Sequence, residues 1–208
     1  MPTTAEILRG LTRIANEARY VSIAWHVVAG ISILLVLAGF RPRQRTSALL
    51  LSLPLFSVSA LALNFGNPFN AAAFALLAFG LAVLASSGRA AVPLGPSWAV
   101  TLGTLLMAFG WIYPHFVATT SWLTYLYAAP LGSIPCPTLS FVVGVALVGG
   151  GFALDAWCVT LAFAACFYAL FGVFRLGVAI DVVLLAGGIG LLVLRLQHRP
   201  ANRVALRS

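Results

Sequence analysis

The chain has 208 residues, of which 62% are hydrophobic and 8% charged, and it carries a formal charge of +8. A soluble domain has about a quarter of its residues charged, so this composition excludes an ordinary water-soluble fold and makes the bilayer the solvent. All 12 cations are arginines, set against four acids (Glu6, Glu17, Asp155 and Asp181), and they lie scattered at segment ends without interleaved aromatics. That pattern excludes nucleic acid as a partner. None of the three cysteines stands in a C-x-x-C pair, so there is neither a disulfide framework nor a zinc knuckle.

The predicted fold is all-α: an integral membrane bundle of about seven transmembrane helices, with six as the alternative, preceded by an amphipathic interfacial helix. The surface helix occupies residues 1–19, where Thr3 and Glu6 suit a capping box and Ile7, Leu8, Leu11, Ile14, Ala15 and Ala18 share one face. Arg9, Arg13 and Glu17 take the opposite face, as in a helix lying at the headgroup level. The bundle occupies residues 20–196, and 197–208 form a basic tail.

A hydrocarbon core of about 30 Å asks for roughly 20 apolar residues per helix. The first run, Tyr20 to Phe40, is long enough to span and reads as a retained helix instead of a cleaved signal. The second covers about Ser47 to Leu63, with Pro54 as an expected kink, and the third about Ala71 to Ser86. The fourth runs from about Trp98 to Val117, and a loop from Ala118 to Pro135 follows. The 60 residues from Pro137 to Leu196 fit three short spans, with turns near Asp155 and Arg175. Small residues recur in them (Gly144 and Gly149 to Gly151, Ala162 with Cys166, Gly187 with Gly188 and Gly190), which predicts close helix packing. Trp98 and Trp157 towards one surface, with Trp25, Trp111 and Trp122 towards the other, read as aromatic belts.

With seven spans, Arg41, Arg43, Arg45, Arg89, Arg195, Arg199, Arg203 and Arg207 collect on one face, and Arg9, Arg13, Arg19 and Arg175 on the other. Eight against four places the C-terminus in the cytoplasm of a bacterial inner membrane protein and the N-terminus outside.

Ionisable groups inside a membrane are costly and mark sites. His26 lies about two turns into the first span, His115 at the end of the fourth, Cys136 at the start of the fifth and Asp181 near the start of the seventh. Starts of odd spans and ends of even spans share a surface, so all four lie towards the same one. Imidazole, thiolate and carboxylate together suit a transition-metal ion, and Pro135 and Pro137 hold the backbone around Cys136 open. Tyr113, Thr138 and Arg175 complete the set of candidates. Each has a simpler reading beside it: the histidines as interfacial anchors, Cys136 as a small residue at a helix start, and Asp181 as a cap of the last helix or a partner of Arg175. Two histidines on different helices also admit axial haem ligation. The chain has no H-E-x-x-H, P-loop or G-x-S-x-G motif, so hydrolase and ATPase readings lack their parts.

The tripeptide Pro135-Cys136-Pro137 is similar to the membrane motifs of heavy-metal pumps, whose phosphorylation and nucleotide domains have no counterpart here. The stretch from Tyr125 to Thr138, Tyr-Leu-Tyr-Ala-Ala-Pro-Leu-Gly-Ser-Ile-Pro-Cys-Pro-Thr, resembles the Tyr-Pro-Ala-Ala-Pro to Pro-Cys-Pro-Thr segment of a bacterial membrane family, the domain of unknown function 6064. The spacing from Gly172 to Asp181 before an alanine- and glycine-rich last helix is similar too. The resemblance implies a polytopic inner-membrane protein without a known activity, and it adds Ala129 and Pro130 to the residues of interest. Three functions are therefore expected: handling of a small solute or metal ion at the face that carries the candidates, an accessory role beside other membrane subunits or a second copy, or a membrane haem or redox role.

Overall fold

The computed structural model describes residues 3–85 and 90–205, with side chains described through residue 197 except at 153. Arg89 and Arg207, and the side chains of Arg199 and Arg203, lie outside the described residues. The chain is all-helical; among the described residues the one β-type pairing is an isolated bridge between Arg43 and Ala91.

Helix α1 spans Thr4–Glu17 and starts with the expected capping box: Thr3 accepts from Glu6 N–H and the Glu6 carboxylate accepts from Thr3 N–H. Leu11, Ile14 and Ala15 are buried, while Arg13 pairs with Glu17 at 2.8 Å on the exposed side. One non-helical residue, Ala18, separates α1 from α2, Arg19–Leu37. Only Ser22, His26 and Ala29 of α2 are buried, so this helix lies at the rim of the bundle.

Helix α3, Gln44–Asn64, carries Pro54 in its interior, and α4 covers Pro68–Leu84. The turn between them follows directly from the sequence: Asn67 caps the Asn70 N–H, and Pro68 takes the first helical position, where no N–H is needed. Helix α5, Ser97–Ile112, ends before the expected Val117. Pro114 is the cause, since proline excludes its predecessor from helical geometry, and Tyr113 accordingly has ψ 104°. A short helix α6, Tyr125–Ala128, then leads to α7, Pro135–Val148. Helix α8, Asp155–Leu170, continues as a π-helical turn through Leu176, and α9 runs Val182–Ala205. The residues expected to form a separate tail from 197 onward thus begin as the last turns of α9.

Among the described residues, four segments are long and apolar enough to cross a membrane: Arg19–Leu37, Gln44–Asn64, Asp155–Leu176 and Ala179–Gln197. The other three apolar helices, Pro68–Leu84, Ser97–Ile112 and Pro135–Val148, are shorter. At about 1.5 Å per residue the 14 residues of α7 reach well short of a hydrocarbon core. Helix α7 is instead the centre of the bundle, almost wholly buried among α3, α5, α8 and α9. The outer surface is apolar, with Phe163, Leu76 and Leu34 each more than 60% exposed, as suits contact with lipid and not water.

Lipid is as apolar as leucine, so helices associate through close packing and polar contacts. Gly103 of α5 and Gly144 of α7 meet backbone to backbone: a Cβ on either would lie 2.5 Å from the carbonyl oxygen of the other. Ser140 Oγ donates to Leu106 O at 3.0 Å along the same seam. Gly188 lies against Ala162 and Cys166, joining α9 to α8. Gly150 and Gly151 pack closely, against Pro93 and Cys158, and their positive φ values of 56° and 64° also make them the left-handed turn that stops α7. Trp157 is not a belt residue either: it is fully buried, 5.1 Å from the Phe152 ring.

Candidate functional site

Asp181 reaches its position through a tight reversal. Gly177, at φ 72°, stops the π-helical turn, Val178 N–H donates back to Gly172 O at 2.9 Å, and one 3-10 turn delivers Asp181 to the start of α9. The N–H groups there favour negative charge. Gly172 makes the room, since a Cβ on it would collide with the Asp181 carboxyl. The glycine and aspartate noted in the sequence are therefore two halves of one contact.

The carboxyl is 2% exposed and accepts one hydrogen bond on each oxygen. Tyr113 OH donates to Oδ1 at 2.7 Å and Cys136 Sγ donates to Oδ2 at 3.1 Å. Tyr113 is turned inward by the break before Pro114 and fixed by the rings of Phe109 and Phe116, 5.4 and 6.3 Å away. Cys136 sits in the first turn of α7, where the absent N–H groups of Pro135 and Pro137 cost nothing. Three segments far apart in sequence thus join phenol, carboxyl and thiol.

The Cys136 thiol and the Asp181 carboxyl border a cavity of about 20 Å³ between α1, α4, α7 and α8, room for one water molecule. Ile7 and Leu11 of α1 and Phe116 cover it, and Asn70 and Tyr168 line its far side, where Tyr168 OH donates to Asn70 Oδ1 at 3.0 Å. Asn70 and Tyr168 were not anticipated. They stand at the start of the third apolar helix and near the end of the sixth, so the parity that gathered the other candidates applies to them as well; a survey limited to ionisable residues passes over them.

The remaining candidates have other duties. The His26 ring faces two carbonyl oxygens, Ser22 O at 2.8 Å from Nδ1 and Trp111 O at 2.9 Å from Nε2, so it ties α2 to the end of α5 and presents neither nitrogen to a metal or a haem. His115 is exposed and packs edge-on to Phe116 at 4.3 Å. Arg175 donates through Nη1 to Thr4 Oγ1 at 2.9 Å, while both Asp181 oxygens are taken by Tyr113 and Cys136. Thr138 is a clasp: its hydroxyl donates to Ile134 O at 2.7 Å and accepts from Gly132 N–H at 2.9 Å. Pro130 O accepts from Ser133 and Ile134 N–H, so the segment from Ala129 to Thr138 is a folded knot that presents Cys136. Trp25 packs against Gly132 in the same knot, where φ is 73° and a side chain has no space.

Of His26, His115, Cys136 and Asp181, the structure therefore bonds only the last two to each other, and among the described residues no three His, Cys, Asp or Glu gather closely enough to hold a metal ion together. What it assembles is a smaller site in which a partly buried thiol meets a buried carboxyl and phenol. Outside the apolar helices, the hydrogen bond from Thr3 N–H holds the Glu6 carboxyl below its ordinary range, which keeps the cap of α1 ionised. No family model matches the chain, nor does any curated protein or solved structure.

Proposed function

We propose that the chain is a polytopic protein of a bacterial inner membrane whose seven apolar helices form one bundle, with its C-terminus in the cytoplasm, and that it handles a small solute or ion in the cavity bordered by Cys136 and Asp181. One observation carries the reading: a carboxyl 2% exposed, bonded to a thiol and a phenol, beside a cavity roofed by an amphipathic helix. Burying a carboxyl in a bundle surrounded by lipid is costly, and such groups are retained where they line the path of a substrate or ion. A thiol next to a carboxyl suits a borderline-soft cation; the phenol and the Asn70 amide suit a hydrogen-bonding solute. The arginine distribution favours this orientation, and the resemblance to the domain of unknown function 6064 favours a polytopic inner-membrane protein.

The test is metal analysis of the detergent-purified protein, followed by uptake of metal ions and small polar solutes into proteoliposomes. The reading requires binding or uptake that Asp181→Asn and Cys136→Ala abolish while the fold persists. Protein that binds and transports none of them, or does so equally well in both variants, refutes it. An accessory role is the second reading. The exposed outer face of α2, where only three residues are buried, favours it, and finding the protein alone after mild-detergent extraction would count against it.

A further inference from the structure

The cavity has room for one water molecule and Cys136, which lines it, is partly buried, so anything larger enters it beside the buried Asp181 only if a wall moves. Its walls from α4, α7 and α8 belong to packed apolar helices. Beside Phe116 the remaining wall is α1, which packs Leu11 and Ile14 on Ile134, Leu176 and Val178 and adds polar contacts to that packing. Both ends are held by polar contacts at the surface. At the first, Thr4 Oγ1 donates to Arg175 O at 3.1 Å and accepts from Arg175 Nη1 at 2.9 Å. At the second, Asn16 Nδ2 donates to Phe116 O at 2.9 Å and Asn16 Oδ1 accepts from Ala118 N–H at 2.8 Å. Between these clasps Ile7 and Leu11 rest on the cavity.

We infer that α1 is a hinged strap that governs access to the Cys136 and Asp181 cavity, pivoting at Ala18 between a position docked on the bundle and one lying in the lipid headgroup layer. The inference rests on the reading of that cavity as the binding site. Three further observations carry it. Ala18 alone joins α1 to α2, with φ −99° and ψ 24°, so a change of a few backbone dihedrals swings the whole helix. Phe116, which lines the cavity and receives the Asn16 clasp, is held at φ 70°, a left-handed conformation that a phenylalanine adopts only under constraint and that releasing the clasp relieves. The apolar stripe of α1, Ile7, Leu8, Leu11 and Ile14, opposite Arg9, Arg13 and Glu17, is also the pattern of a helix that lies at a membrane surface. Lifting the strap thus moves that stripe from bundle to headgroup layer without exposing it to water, and the element has two stable positions.

Cys136 reports the motion, because a maleimide is larger than the cavity and reaches the partly buried thiol faster once α1 has lifted. The full chain in liposomes is treated with a maleimide, and modification of the Cys136 peptide is followed by mass spectrometry. Thr4→Val combined with Asn16→Ala removes both clasps and accelerates labelling about tenfold, whereas Arg9→Gln on the exposed face leaves the rate unchanged. A second variant, Thr4→Cys with Arg175→Cys, locks the strap: oxidation slows labelling of Cys136 and reduction restores it. This arm decides the matter if the first variant does not fold. Labelling that is indifferent to both clasps and lock overturns the inference. A chain whose strap controls labelling but which takes up no solute refutes the proposed function alone; one that takes up solute with labelling unaffected refutes the strap alone.

Discussion

Replacing Tyr113 with phenylalanine removes one oxygen and leaves the ring stacked on Phe116 and edge-on to Phe109. Oδ1 of Asp181, in a residue 2% exposed, then loses the donor that stands 2.7 Å away. Hydrogen bonds to charged groups contribute about 1.5–3 kcal/mol in soluble proteins, while side-chain bonds between membrane helices average about 0.6 kcal/mol because unfolded segments also find partners. The carboxyl keeps its thiol donor at 3.1 Å, so the expected loss lies between these limits, at about 1–2 kcal/mol. Reversible unfolding in mixed micelles, followed by circular dichroism, measures it. A double-mutant cycle with Asp181→Asn isolates the pair, with an expected coupling of at least about 0.5 kcal/mol. If the two substitutions are additive, the phenol does not support the carboxyl and the account of this site fails.

The seam between α5 and α7 gives a second prediction: Gly103→Ala and Gly144→Ala each force two backbones apart and cost about 1–3 kcal/mol in the same assay, whereas Gly80→Ala, with no atom within 4 Å of its added Cβ, is neutral or stabilising by up to about 1 kcal/mol. His26→Leu removes the ring contacts to Ser22 O and to the part-buried Trp111 O and destabilises by about 0.5–1.5 kcal/mol, with no change in bound metal or in the visible spectrum. At the N-terminus the depressed Glu6 value sets the sign of a pH effect: its contribution to the α1 cap is complete above the usual carboxylate range and is lost as pH falls through the depressed folded value. Hydrogen exchange at the Ile7 amide, corrected for its intrinsic pH dependence, therefore quickens in acid, and Glu6→Gln removes that dependence.

Much of the architecture was legible because the signals are local. The capping box at Thr3 and Glu6, the Asn67-Pro68 start of α4 and the apolar runs themselves all follow from neighbouring residues. Proline geometry at Tyr113 was readable in principle, yet hydropathy alone carried the fourth helix on to Val117. The central place of α7 was not legible, since a buried apolar helix and a lipid-facing one have the same composition; what distinguishes them is Gly144 meeting Gly103, a contact between helices. The same limit governs the site. Parity put four ionisable residues at one surface, but only contacts across the bundle decide that Cys136 and Asp181 bond to each other while the nitrogens of His26 face carbonyl oxygens.

The convergence of Cys136 and Asp181 is the claim on which the functional account stands, and a cross-link tests it directly. Asp181→Cys places a second thiol near the present carboxyl carbon, one bond back from the Oδ2 atom that lies 3.1 Å from Cys136 Sγ. Mild oxidation of this variant in native membranes is expected to join the start of α7 to the start of α9 by a bond that reductant reverses, found as a single linked peptide by mass spectrometry. Two thiols that stay unlinked under conditions that oxidise an exposed pair would contradict the site.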